Sequence, residues 1–167
     1  MLKYYILIAS ALTLLLNSCS SGHKGYLNRP YTVKGQHYKP MSIDTALQYK
    51  QRGEASWYNE SKFFGLKRGN TSLGEKVMPW DVSGAHKTLP LPCVVKVTNL
   101  KNGKSIKIRL NDRGPFISGR IIDVTPRAAS KLGFKDDGLT QCEVEVISVG
   151  DGKYKRKAKK KKLFFLF

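Results

Sequence analysis

The chain has 167 residues, 41% of them hydrophobic and 25% charged, with a formal net charge of +18. That length holds one domain with a single buried core, and the composition is too apolar for a disordered chain. Three cysteines are too few for a disulfide-built scaffold, and the excess of positive charge points to an anionic partner.

Residues 1–18 read as an export signal, with Lys3 as a short positive start and an apolar run from Tyr4 to Leu16. The run falls short of the roughly 20 residues of a membrane span. It ends in Leu16-Asn17-Ser18-Cys19, which looks like a bacterial lipobox. That likeness implies diacylglycerol on the Cys19 thiol and cleavage just before it; the alternative is an ordinary secretory signal with an incidental cysteine. Several acyl chains, at about 0.8 kcal/mol per buried methylene, anchor a protein firmly. Ser20 and Ser21 follow with no acidic residue, which leans towards an outer-membrane anchor facing the periplasm. Residues 19–30 form a polar tether containing Gly22 and Gly25.

Residues 31–52 open with a small hairpin, Tyr31 to Tyr38, bent at Gly35. From Gly53 to Val149 strand signals dominate. Val94 to Asn99 is β-branched and runs into an Asn102-Gly103 turn, and Ser105 to Leu110 alternates polar and apolar residues. Ile121 to Val124 and Glu143 to Ile147 supply further strands. One short helix is signalled: Thr125 at its cap, Pro126 in its first turn, Gly133 at its end. Many short strands with one helix argue for an all-β, closed barrel, which removes exposed sheet edges.

Within that stretch, Leu110-Asn111-Asp112-Arg113-Gly114-Pro115-Phe116 sets a carboxylate and a guanidinium in a turn that Gly114 and Pro115 bend and restrict. Upstream lie Gly53-Glu54-Ala55-Ser56-Trp57-Tyr58, Thr71-Ser72-Leu73-Gly74-Glu75 and Ala85-His86-Lys87-Thr88-Leu89-Pro90; downstream comes Arg120-Ile121-Ile122-Asp123-Val124-Thr125. In this order and spacing the chain resembles the rare lipoprotein A (RlpA) family of peptidoglycan lytic transglycosylases. The resemblance runs from about Tyr31 to Ile147 and implies a six-stranded double-psi β-barrel with one or two short helices.

It also implies a chemistry: cleavage between N-acetylmuramic acid and N-acetylglucosamine, closed by the muramic acid's own C6 hydroxyl to give a 1,6-anhydro ring. The two carboxylates credited with catalysis in the family map onto Asp112, as general acid and base, and Glu75, as a stabiliser of positive charge at the sugar. Arg113 stands ready to orient Asp112. His86 is either a site hydrogen-bonder or a structural one. Asp123 is a second acidic candidate or a brace for the turn. Trp57 and Tyr58 either stack on sugar rings or fill the core. The alternative function is a non-catalytic glycan-binding barrel of the expansin kind. The chain departs from the family pattern at Asn59, Phe64, Leu73, Ser83 and Gly84, around the substrate cleft.

The chemistry needs no cofactor, and no metal-ligand spacing is present. Cys93 and Cys142 are either paired or two core thiols. Residues 150–167 carry the basic run Lys153 to Lys162 and an aromatic end; like charges in a block keep such a tail disordered. For an exported lipoprotein its partner is anionic lipid or lipopolysaccharide rather than nucleic acid, or the tail is simply solvated.

Overall fold

The computed structural model describes residues 27–57, 70–78 and 80–156. The export signal, Cys19, Tyr58 and the tail beyond Arg156 therefore lie outside the described residues.

The chain enters as a hairpin, β1 (Tyr31–Val33) and β2 (Gln36–Tyr38). Its bend is tight because Lys34 and Gly35 both take positive φ, the backbone a two-residue hairpin loop favours. Helix α1 (Ile43–Gln48) follows, an element the sequence reading missed. Its signal was local: the Ser42 hydroxyl accepts from the Thr45 amide and caps the first turn.

The remaining strands are β3 (Lys50–Trp57), β4 (Ser83–Ala85), β5 (Cys93–Asn99), β6 (Ser105–Asp112), β7 (Arg120–Val124), β8 (Leu139–Val149) and β9 (Tyr154–Lys155). β3 thus starts at Lys50, ahead of the expected Gly53. Six of these strands close a ring in the order β3-β7-β4-β6-β5-β8, with β8 pairing back onto β3 and β9 extending β8. The barrel of six strands and two short helices is as expected. Two neighbours run parallel, β3 with β7 and β4 with β6, and the other pairs in the ring are antiparallel.

Period-two alternation fills the barrel. Val95 and Val97 of β5, Ile108 and Leu110 of β6, Ile122 and Val124 of β7, and Val144 and Val146 of β8 are all fully buried. Helix α2 (Pro126–Leu132) starts with proline and ends at Gly133 in the left-handed region, as read from the sequence. Thr125 does not cap it by side chain; its hydroxyl donates to the Asp81 carbonyl at 2.6 Å instead. Cys93 and Cys142 are free and buried, and burial pushes both thiols up to about 12.

Candidate active site

A break in alternation builds the site. Along the β4–β6 pair, Gly84 faces Leu110 but Ala85 faces Asp112, so β6 bulges at Asn111. The extra residue turns Asn111 inward beside the already buried Leu110. It also brings Arg109, Asn111 and Asp112 to one working end of the strand, as bulges beside active sites do. Ala85 pairs on its other side with Asp123 of β7. The short strand β4 is therefore flanked by both aspartates. Gly84 permits this closeness, since a Cβ there would sit 2.7 Å from the Asp123 carbonyl.

The second half of the site is a turn, Asn70 to Lys76. Its ends bridge, Thr71 N–H donates to the Glu75 carbonyl at 2.9 Å, and Gly74 N–H donates to the Thr71 carbonyl at 2.7 Å. Gly74 takes the positive φ the bend requires. Leu73, one of the departures noted above, is buried in the core cluster and anchors the turn from below.

This one turn reaches both carboxylates. Asp112 Oδ1 accepts from Ser72 N–H at 2.8 Å, from the Ser72 hydroxyl at 2.6 Å and from Arg113 N–H at 2.7 Å. Oδ2 takes no hydrogen bond from the described residues. Glu75 lies in a fork: Arg109 Nη1 and Nη2 donate to its two oxygens at 2.7 and 2.9 Å, and Asn111 Nδ2 adds a third bond at 2.8 Å. The Arg109 hydrogen bonds, seconded by Asn111, hold the Glu75 carboxyl below the usual glutamate range. Arg109 in turn donates to Asp151 through Nε at 2.7 Å, so it is clamped on both edges and its charge is reinforced.

His86 is buried. Its Nδ1 accepts from Thr88 N–H and Leu89 N–H at 3.1 and 3.0 Å, which leaves the ring proton on Nε2 to donate to the Tyr49 hydroxyl at 3.0 Å. The Tyr49 hydroxyl donates in turn to Gln51 Oε1 at 2.6 Å. Desolvation, with help from Arg113 and Lys87, pushes the imidazole down to about 3. It is a neutral brace, and its backbone N–H donates to the Asp112 carbonyl at 3.1 Å.

The Arg113 side chain runs back under the Ala85-to-Pro90 segment, where Nη1 donates to the Leu89 carbonyl at 2.5 Å and Nη2 to the Leu27 carbonyl at 2.9 Å. It thus ties the chain entry to the turn. Asp123 is half-buried, points opposite to Ile122 and Val124 as its strand position requires, and accepts from the Ser56 hydroxyl. Burial raises its carboxyl, partly offset by Ser56 and by the charges of Arg120 and Lys87. Trp57 packs against the core, and its indole N–H donates to the Lys135 carbonyl at 3.0 Å. Sequence reasoning missed Ser72, Arg109, Asn111, Ser56 and Asp151. Arg109 stood in a strand pattern and Asn111 in the turn motif, and no local signal marks the bulge that brings them together.

Fold and site together define a double-psi barrel with a braced pair of carboxylate-bearing segments at one end. The lytic transglycolase family model matches residues 50–144, and the chain belongs to that family. Relatives named endolytic peptidoglycan transglycosylase RlpA bear out the resemblance seen in the sequence. The one from Pseudomonas aeruginosa strain UCBPP-PA14 is 48% identical over 126 residues, covering 75% of this chain and 35% of that protein. The one from Neisseria meningitidis strain Z2491 is 47% identical over 123 residues, covering 74% and 49%. That from Rickettsia bellii is 41% identical over 141 residues, covering 82% and 60%. The chain thus spans about a third to three-fifths of the length of these relatives.

Proposed function

We propose that the protein is a lytic transglycosylase acting on the glycan strands of peptidoglycan. The observation that carries this is the turn at residues 70–76, which braces Asp112 through Ser72 while delivering Glu75 to Arg109 and Asn111. Asp112 Oδ2, which accepts no hydrogen bond from the described residues, is the oxygen that bears the proton in the reactive form. The proton passes to the bridging oxygen as the C1–O bond of N-acetylmuramic acid breaks, and C1 acquires oxocarbenium character. Glu75, kept ionised by its fork, supplies fixed negative charge to that centre. The C6 hydroxyl then attacks C1 and returns its proton to Asp112 Oδ2. No water is consumed, and the acid is regenerated.

The test is mass spectrometry of murein sacculi incubated with the full chain. Products ending in 1,6-anhydromuramic acid are expected. Reducing ends made by water would mean a hydrolase, and binding without products would favour the expansin-like reading.

The sequence supports an anchor at Cys19, on the outer membrane and facing the periplasm, with the Lys153-to-Lys162 run meeting anionic head groups at about 1 kcal/mol per basic residue. Cys19→Ala should leave the precursor unlipidated and its signal uncleaved. A mutant that loses its signal and still fractionates with membranes would place the anchor elsewhere.

A further inference from the structure

The β1–β2 hairpin lies outside the barrel sheet, yet it is fastened to the Asp112 turn. Tyr31 and Tyr38 stack with centroids 5.2 Å apart and planes 17° from parallel. Phe116, four residues past Asp112, completes the group at 5.5 Å from Tyr38 and 6.3 Å from Tyr31. The three rings form one continuous apolar ledge beside the turn.

The ledge is rigid. The Tyr31 hydroxyl donates to the Lys87 carbonyl at 2.7 Å, and the Arg113 guanidinium lies over its ring at 5.3 Å. The Tyr38 hydroxyl donates to Gln36 Oε1 at 3.0 Å. From the other side, Lys87 Nζ donates to the carbonyls of Ile117 and Arg120 at 3.4 and 2.9 Å, pinning the loop behind Phe116. Such pre-ordering removes much of the entropy lost on binding.

Packing of the hairpin alone does not account for the ledge. A phenylalanine serving only the core is buried, as Phe134 is at 1% exposure, whereas Phe116 is 42% exposed and its neighbour Ile117 is 53% exposed. Two adjoining apolar side chains left open on a pinned loop mark a contact surface. Trp57, by contrast, has its indole spent on Lys135 and its ring against the core.

We propose that Phe116 and Tyr38, backed by Tyr31, form a stacking subsite for a pyranose ring of the glycan strand, next to the sugar that Asp112 acts on. A pyranose presents an apolar C–H face and a polar rim, which is what a flat, pinned aromatic ledge with nearby hydroxyls and cations receives. The proposal rests on the transglycosylase reading for its ligand.

The test is binding of peptide-free glycan strands to the full-length protein in detergent, measured beside turnover and thermal melting. Phe116→Ala should weaken binding roughly tenfold. Phe116→Tyr, which keeps a flat ring, should restore it, and Phe116→Leu, apolar but not flat, should not. Leu100→Ala, equally exposed at 42% but in the turn between β5 and β6, at the opposite end of β6 from Asp112, should bind as wild type. Folded Phe116→Ala with wild-type affinity overturns the subsite, and so does full rescue by leucine. Wild-type protein that binds and does not cleave would refute the catalytic reading alone, and the same binding series then decides the ledge. Wild-type protein that does not bind glycan overturns the ledge outright.

Discussion

Asp112→Asn separates the chemistry of this site from its scaffold. Three donors converge on Oδ1, two from Ser72 and one from the Arg113 backbone. An asparagine carbonyl can accept all three, while its NH2 occupies the place of Oδ2, which meets no donor from the described residues. The substitution therefore removes charge assistance rather than the bonds. A charged acceptor strengthens each bond by about 1 kcal/mol over a neutral one, and solvation of this partly open group trims the total to about 1–2 kcal/mol. For a domain of this size that lowers Tm by roughly 5–15 °C. Turnover should fall far more, by about 10²–10⁴-fold, because the amide has no titratable proton to give. The assay is release of 1,6-anhydro ends from sacculi, run well below the variant's Tm, with glycan binding followed in parallel. A folded variant that keeps more than about a tenth of wild-type turnover would refute the assignment. If Asp123→Asn were then folded and inactive, the role of acid would pass to Asp123, whose carboxyl burial raises.

Arg109→Lys should lower kcat about tenfold or more with little change in stability, since one ammonium cannot fork Glu75 and hold Asp151 together. The acid limb of the pH–rate profile should move up as Glu75 loses the donors that depress it; an unmoved limb would show that the fork does not tune Glu75. His86 carries a pH dependence of stability. Its folded value of about 3 lies below the ordinary 6.5, so the stability it contributes is complete above pH 6.5 and is lost as pH falls towards 3. Denaturant midpoints should therefore drop below pH 6.5, and His86→Asn should flatten the part of that slope above about 5.5, roughly a unit clear of the ordinary glutamate value of 4.5. Persistence of the full slope in the variant would assign it to another group.

Much of the barrel could be read from the chain because its strands announce themselves. Ser105 to Leu110 alternates in burial as it alternates in polarity, and the β-branched run from Val94 forms the strand beside it. Pro126 and Gly133 bracket a helix, and the helix forms between them. Asp112 was visible for the same reason: Gly114 and Pro115 mark its turn. Arg109 and Asn111 were not, because a bulge depends on the register between β4 and β6, which is a non-local property. Leu73 looked like a defect in a polar motif, yet its side chain is the buried foot of the turn that carries Glu75. The two histidine readings left open in the sequence differ only in what surrounds the ring, and burial of that ring is a fact of the folded state.

The closed turn from Asn70 to Lys76 has a corollary for the connection that enters it. Among the described residues, its geometry is set by its own bridge, by Leu73 and by bonds to β6. Lengthening a connection is thermodynamically cheap, with each doubling adding only about 0.6 kcal/mol. A change in the length of the connection that leads into Asn70 therefore costs the fold little. Ser72 and Glu75 keep their places on β6 as long as the bridge and the buried Leu73 are kept.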